Sequence, residues 1–268
     1  MALAANFVSA AVCAALALAG GAARAQESRE PGTLARAPAG AVRLFVSGSM
    51  SAPVAAIRAR LEQATGAKVV MEVSESRNLQ REMEAGQPFE AAVMTTAVVD
   101  DMIAKGRIVP GSALAVGMVR VGVAVRGDAP KLQVTTPDGL KAAILGAHSI
   151  RRFYGVAAST PVLDNLFAKL DLTAATKDRM VALGGDLVVP EALLAPGQYE
   201  LIINLLSAVL PMKGWTYVGP IPEQFQMPIA HSAGLGAAGD RDQGRRVLEV
   251  LKSPAFAAAL ETNQIRPR

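Results

Sequence analysis

The chain has 268 residues, 51% hydrophobic and 19% charged, with 27 Lys and Arg against 23 Asp and Glu. That balance excludes an intrinsically disordered chain, and a single cysteine, Cys13, excludes a disulfide scaffold. With 4% aromatic residues and a formal charge of +4, neither a base-stacking platform nor a DNA-wrapping basic stripe is expected. Residues 7–18 form an apolar run too short to span a bilayer, and Ala23-Arg24-Ala25 is a small-x-small cleavage pattern before Gln26. We read residues 1–25 as a cleaved signal peptide, although its first residues carry no Lys or Arg. Residues 26–40, rich in Pro, Gly, Ala and Arg, read as a flexible leader.

From there the pattern alternates. Residues 42–46 are strand-like and end at Ser47-Gly48-Ser49-Met50. Val54, Ile57 and Leu61 give residues 51–65 a helical period, closed by Gly66. A second strand over 68–73 ends at Ser74-Glu75-Ser76-Arg77-Asn78, before a helix over 79–85. A third strand over 91–94 ends at Thr95-Thr96, before a helix over 98–105. This β-α-β-α-β-α rhythm predicts a parallel sheet covered on both faces. Residues 116–125 are a long β-rich run where the chain can leave a first lobe. Further on, helices are expected over 161–170, 242–252 and 255–263 and from Pro137 onward, with strands over 147–153, 201–205, 217–222 and 229–236. The expected fold class is α/β in two lobes, one from 41–122 with part of 216–268 and the other from 123–215. Such sheets bind ligands beyond the carboxyl ends of their strands.

The strand ends carry the polar residues suited to a site. Ser47, Gly48, Ser49, Ser74, Ser76 and Thr95 place hydroxyls and backbone N–H groups at strand-to-helix turns, where an anion can be held without full charges. Such residues are also ordinary helix caps. In the second half, Arg151 and Arg152 point to opposite sides of an extended segment, so one of them can face the cleft and grip a carboxylate. Asn204 and Ser207 follow the 201–203 strand and can close the pocket. Glu75 can pair with Arg77 or an opposing Arg, take a ligand amine or hydroxyl, or face water. The two histidines have no metal-ligand spacing, and His148 reads as a core histidine. No nucleophile elbow or phosphate-binding loop is present, and no metal or cofactor is expected.

Several stretches together resemble a known family: VSGSM at 46–50, LEQATGAKVV at 61–70, DDMIAKGRIVPGS at 100–112, GVAVRGDAPK at 122–131, SAVLPMKGWTYVGPIPEQFQ at 207–226 and VLKSPAFAAALETNQIRP at 250–267. The chain is similar to bacterial periplasmic solute-binding proteins of the molybdate-binding type, in a branch that also includes aconitate-isomerase-like proteins. The resemblance implies a two-lobed periplasmic-binding-protein type II fold that closes on its ligand. It implies a periplasmic location, a small anionic ligand, delivery to an ABC permease, and a monomer that binds no nucleic acid. It also implies an oxyanion contacted by Ser47 and Ser49 in the first turn, Ser74 and Ser76 in the second, and Ser207. Two turns depart from the family pattern: Glu75 sits in the second, and residues 151–158, with Arg152 and Tyr154, replace a Ser- and Gly-rich fourth. A small organic acid with carboxylate and hydroxyl groups matches this set better than a bare dianion. The alternative is an isomerase of a small tricarboxylate on the same fold, with Glu75 and Tyr154 in the acid-base roles.

Overall fold

The computed structural model describes residues 32, 34, 35, 37–152, 159–182, 194–210 and 212–267. Strand β1 (Val42–Ser47) is buried along its whole length. Its side chains alternate between two apolar layers, as the period of two requires. Leu44 and Val46 join Val54 and Leu61 on one face; Phe45 joins Leu79, Met83 and Met102 on the other. Phe45 also stacks on Phe89, with ring centroids 4.9 Å apart. Strands β2 (Val69–Ser74) and β3 (Ala91–Thr95) flank β1 in parallel. Helices α1 (Ser51–Ala56), α2 (Arg58–Thr65), α3 (Ser76–Glu84) and α4 (Thr96–Ala104) make the connections. The single helix expected over 51–65 breaks at Ile57, whose amide turns back to the Val54 carbonyl. Asp101, in the second half of α4, pairs with Lys105 one turn on.

Neither sheet is wholly parallel, which corrects the sequence expectation. The first has the order β11-β4-β10-β3-β1-β2, with β10 (Ile229–Leu235), β4 (Leu114–Val119) and β11 (Ile265–Pro267) joined through antiparallel pairings. The second has the order β7-β6-β8-β5-β9, built from β5 (Val121–Gly127), β6 (Ser149–Arg152), β7 (Met180–Ala182), β8 (Tyr199–Leu205) and β9 (Thr216–Pro220). Parallel neighbours need a crossover helix. Here β4 and β5 belong to different sheets, as do β9 and β10, and each enters its sheet antiparallel to its neighbours: β4 to β10 and β11, β5 to β8 and β9, and β10 to β3.

The β-rich run at 116–125 therefore divides at Arg120, with β4 in one sheet and β5 in the other. Two segments cross between the sheets, at Arg120 and at residues 221–228. Gln226 ties them together: its Oε1 accepts from Val121 N (3.0 Å), and its Nε2 donates to the carbonyls of Val121 (2.8 Å) and Ile221 (3.1 Å). Helices α5 (Pro137–Gly146) and α6 (Thr160–Lys169) belong to the second unit, and α9 (Arg241–Leu251) and α10 (Pro254–Thr262) return to the first. The described part of the leader is held against the body: Glu82 accepts from Gly32 N, Leu34 packs beside the Phe45 cluster, and Arg43 donates to the Ala35 carbonyl.

A candidate anion site at the facing sheet edges

The pairing register of the first sheet places its polar strand ends in one row. Ser47 is the partner of Ser74, and β3 runs beside β1 in the same direction. Thr95, at the end of β3, is the partner of His231 in β10. Ser47, Ser74, Thr95 and His231 thus share one edge, and the turns after the three parallel strands start there. Sequence reasoning found three of these residues. It missed His231, which has no local signal and reaches the edge only through the long-range pairing of β10.

His148 is exposed, against the expectation of a core histidine, and His231 is fully buried. His231 Nδ1 lies 3.0 Å from the Ile229 carbonyl, and Nε2 lies 2.7 Å from Ser49 Oγ. Ser49 Oγ is in turn 2.9 Å from Ser47 Oγ. Burial holds the imidazole well below its ordinary value, at about 4, with the Ile229 carbonyl opposing the shift. Close by, Ser232 Oγ is 2.8 Å from Thr96 Oγ1, and Ser76 Oγ accepts from Thr95 N at 3.2 Å. Ser74 Oγ accepts from Asn78 Nδ2 at 3.3 Å. A methyl group added at Gly48 would meet nothing within 4 Å, so the backbone there borders open space.

Glu75 occupies the cap position of α3 without bonding the helix through its side chain. It makes no ion pair among the described residues, with Arg77 or any other cation, and burial raises its pKa above the ordinary carboxylate value. The edge therefore carries hydroxyls, N–H groups and one carboxyl group.

The second sheet contributes from the opposite side. Val121 is the partner of Leu205, so β8 ends at the crossing; β6 runs parallel to β8 and ends toward the same edge. The short helix α8 (Leu206–Val209) follows β8, is tied to the crossing by Leu206 N to Arg120 O (2.8 Å), and packs against the turn over Gly48–Met50. Gly122 permits this, because a Cβ there would lie 2.3 Å from Leu206 Cδ2. Ser207 in α8 is 2% exposed, and its hydroxyl has no partner among the described residues. The same holds for Ser159 Oγ and Thr160 Oγ1 at the start of α6. Asn204 is buried and accepts from Leu205 N through Oδ1.

The two arginines are otherwise engaged. Arg152 Nη2 is 2.8 Å from Asp164 Oδ1 of α6, and both line a cavity of about 380 Å³ with Phe167, Thr176 and Met180. Arg151 is buried with Glu200, which also takes Arg126 and the Ser149 hydroxyl. Burial alone would raise the Glu200 pKa; the Ser149 and arginine hydrogen bonds outweigh it and hold the carboxyl below its ordinary value. Register explains the cluster, since Arg126 and Ser149 are both direct cross-strand partners of Glu200. Neither arginine joins Ser47 and Ser49. Tyr154 lies outside the described residues. Among the described residues no cluster could hold a metal ion, and no helix is long and apolar enough to cross a membrane.

Comparison with known proteins agrees with this architecture. The chain is 24% identical over 243 residues to an aconitate isomerase of a Pseudomonas species, covering 87% of this chain and 90% of that protein. It superposes on the periplasmic molybdate-binding protein of Azotobacter vinelandii with a TM-score of 0.64 at 16% identity, covering 84% and 98% of the two chains. It also superposes on the sulfate-binding protein SubI of Mycobacterium tuberculosis, with a TM-score of 0.58 at 14% identity over 85% and 86%. These likenesses establish the two-lobed periplasmic-binding-protein fold. Residues 42–263 match the family model, and the chain belongs to the bacterial extracellular solute-binding proteins.

Proposed function

We propose that this protein is exported, loses residues 1–25, and works in the periplasm as a monomer that captures a small anion for an ABC-type permease. With the crossings at Arg120 and residues 221–228, rather than at the bounds of 122 and 215 expected from sequence, the lobes are residues 41–119 with 229–267, and residues 121–220. The ligand lies between them, held by Ser47, Gly48, Ser49, Ser74, Ser76 and Thr95 from one side and by Asn204 and Ser207 from the other. The observation that carries this reading is the buried Ser207 hydroxyl, which has no partner among the described residues and sits in α8, packed against the Gly48–Met50 turn of that polar edge. Leaving a buried hydroxyl unpaired costs about 1–3 kcal/mol, and a bound oxyanion or carboxylate removes that cost. The molybdate- and sulfate-binding neighbours support an anion as the ligand class. Closure of the two lobes about the ligand would be a hinge motion at the paired crossings.

The test is a thermal-shift screen of residues 26–268 against molybdate, tungstate, sulfate, phosphate and di- and tricarboxylates. A ligand at 100 times its Kd adds about 2.7 kcal/mol to the folded state, roughly 5–10 °C in Tm for a chain of this size. The absence of any shift would overturn the reading.

A second reading is an isomerase of a small tricarboxylate, favoured by the matched aconitate isomerase and by the Glu75 carboxyl near the polar row, which has no ion pair among the described residues. Such a reaction withdraws a proton from one carbon and returns one to another, which requires a group near neutrality. It predicts interconversion of cis- and trans-aconitate by the purified protein, abolished by Glu75→Gln while binding survives. No turnover at high protein concentration would exclude it.

A further inference from the structure

Hydrogen-bond bookkeeping along Ser47, Ser49, His231 and Ile229 has one solution. A carbonyl oxygen only accepts, so the 3.0 Å contact with Ile229 requires the proton of the neutral imidazole to sit on Nδ1. Nε2 then carries a lone pair, and the 2.7 Å contact makes Ser49 its donor. A hydroxyl has one proton. Ser49 has given its proton to the ring, so the 2.9 Å contact with Ser47 runs from the Ser47 hydroxyl to Ser49 Oγ. Ser49 is left with one free lone pair and nothing to donate. Ser47 is spent as a donor as well and keeps only its lone pairs.

This matters because Ser49 is half-buried beside the open space at Gly48 and under α8. A serine in such a turn would ordinarily be a donor to an anion. Here the buried ring converts it into an acceptor. A fully deprotonated oxygen placed there would meet a lone pair, whereas a hydroxyl or a protonated acid oxygen would complete the chain of donors. Glu75, at the cap of α3, is a second acceptor when ionised, and it too favours a ligand with a proton to give.

We propose that His231 is a specificity-determining residue: by taking the Ser49 proton it selects anions that carry a hydroxyl or protonated oxygen over anions that carry none. The inference rests on the capture function proposed above and names its ligand class, a hydroxy acid or a hydrogen-bearing oxyanion.

Matched pairs test it by isothermal titration at pH 7: malate against succinate, citrate against tricarballylate, and phosphate against sulfate. The hydroxyl-bearing member of the binding pair should be at least tenfold tighter. In His231→Phe, Ser49 regains a free proton, and the preference should fall to near unity or reverse. Equal affinities in the wild type, or an unchanged preference in the variant, would overturn the proposal while leaving anion capture standing. If no member of any pair binds while molybdate or tungstate does, this inference fails and capture stands; if none of these anions binds, the capture reading fails and this inference with it. Should His231→Phe not fold, ¹⁵N spectra of the wild-type imidazole decide: a protonated Nδ1 with a bare Nε2 is expected, and a protonated Nε2 would refute the relay.

Discussion

Ser49 Oγ lies 2.7 Å from His231 Nε2, although 182 positions separate the two residues. The contact depends on two registers at once. Ser49 follows β1, and His231 sits opposite Thr95 at the end of β3. The ring is buried by the same packing that makes the contact, so its protonation and the fold are linked.

That linkage gives a pH dependence. The imidazole is held at about 4 against an ordinary 6.5, so the folded state favours the neutral form. Its contribution is complete above about pH 6.5 and is lost as pH falls from there to about 4. The two values correspond to about 3 kcal/mol. Urea unfolding of wild type and His231→Phe at several pH values should show a stability difference that narrows over this window. A difference independent of pH would contradict the assignment.

Glu75 has the opposite sign. Burial raises its pKa, and it has no ion pair among the described residues, so the ionised form burdens the fold at neutral pH. Glu75→Gln should raise Tm at pH 7 by roughly 2 °C, the scale of a gain below 1 kcal/mol. The gain should vanish near pH 4, where the wild-type carboxyl is already protonated. A lower Tm at pH 7 would show that Glu75 has a structural role.

Gln226 substitutes for backbone pairing where the chain crosses between sheets. Removing its amide leaves Val121 N–H and the Ile221 carbonyl short of partners, while the Val121 carbonyl keeps only Ile221 N. Gln226→Ala should cost about 1–3 kcal/mol, and Gln226→Glu should not restore it at pH 7, because an ionised carboxylate cannot donate to the two carbonyls. Chemical denaturation reads both, and a neutral Gln226→Ala would show that the crossings do not depend on this clamp.

Glu200 separates fold from function. It is 2% exposed and balances Arg126 and Arg151 near the start of β8, away from the crossing. Glu200→Gln deprives both guanidinium groups of their shared carboxylate and should cost about 3–5 kcal/mol. Ligand affinity of the protein that still folds should be unchanged. A loss of affinity at full stability would move the anion site to this cluster.

Much of the site's first side was legible because β1, β2 and β3 are apolar runs that stop abruptly at Ser47, Ser74 and Thr95. The period of two also assigned Arg151 and Arg152 to opposite faces. What they meet was not legible. Glu200 opens a strand otherwise reading as core, and Asp164 is one charge on an amphipathic helix; nothing local marks either as an arginine partner. The mixed sheets are not legible because strand direction depends on which strands pair, a long-range property, and the crossing at Arg120 lies inside a continuous β-rich run. Strands β7 and β11 are three residues each, too short to show a period. His231 was invisible for the reason given by its distance from Ser49.

The central claim is that one small anion is held from both sides at once. The direct measurement is its affinity, by isothermal titration with the tightest ligand of the screen, in Ser49→Ala from the first side and Ser207→Ala from the second. Each should weaken binding by about tenfold or more: Ser49→Ala removes the acceptor for the ligand's hydroxyl and Ser207→Ala a donor to its anionic oxygen, and a polar group left unmatched costs about 1–3 kcal/mol. Tm without ligand should change little in Ser207→Ala and fall by a few degrees in Ser49→Ala, which leaves the buried His231 Nε2 without its donor. Wild-type affinity in Ser207→Ala, with binding lost in Ser49→Ala, would confine the ligand to one lobe and contradict capture between the two.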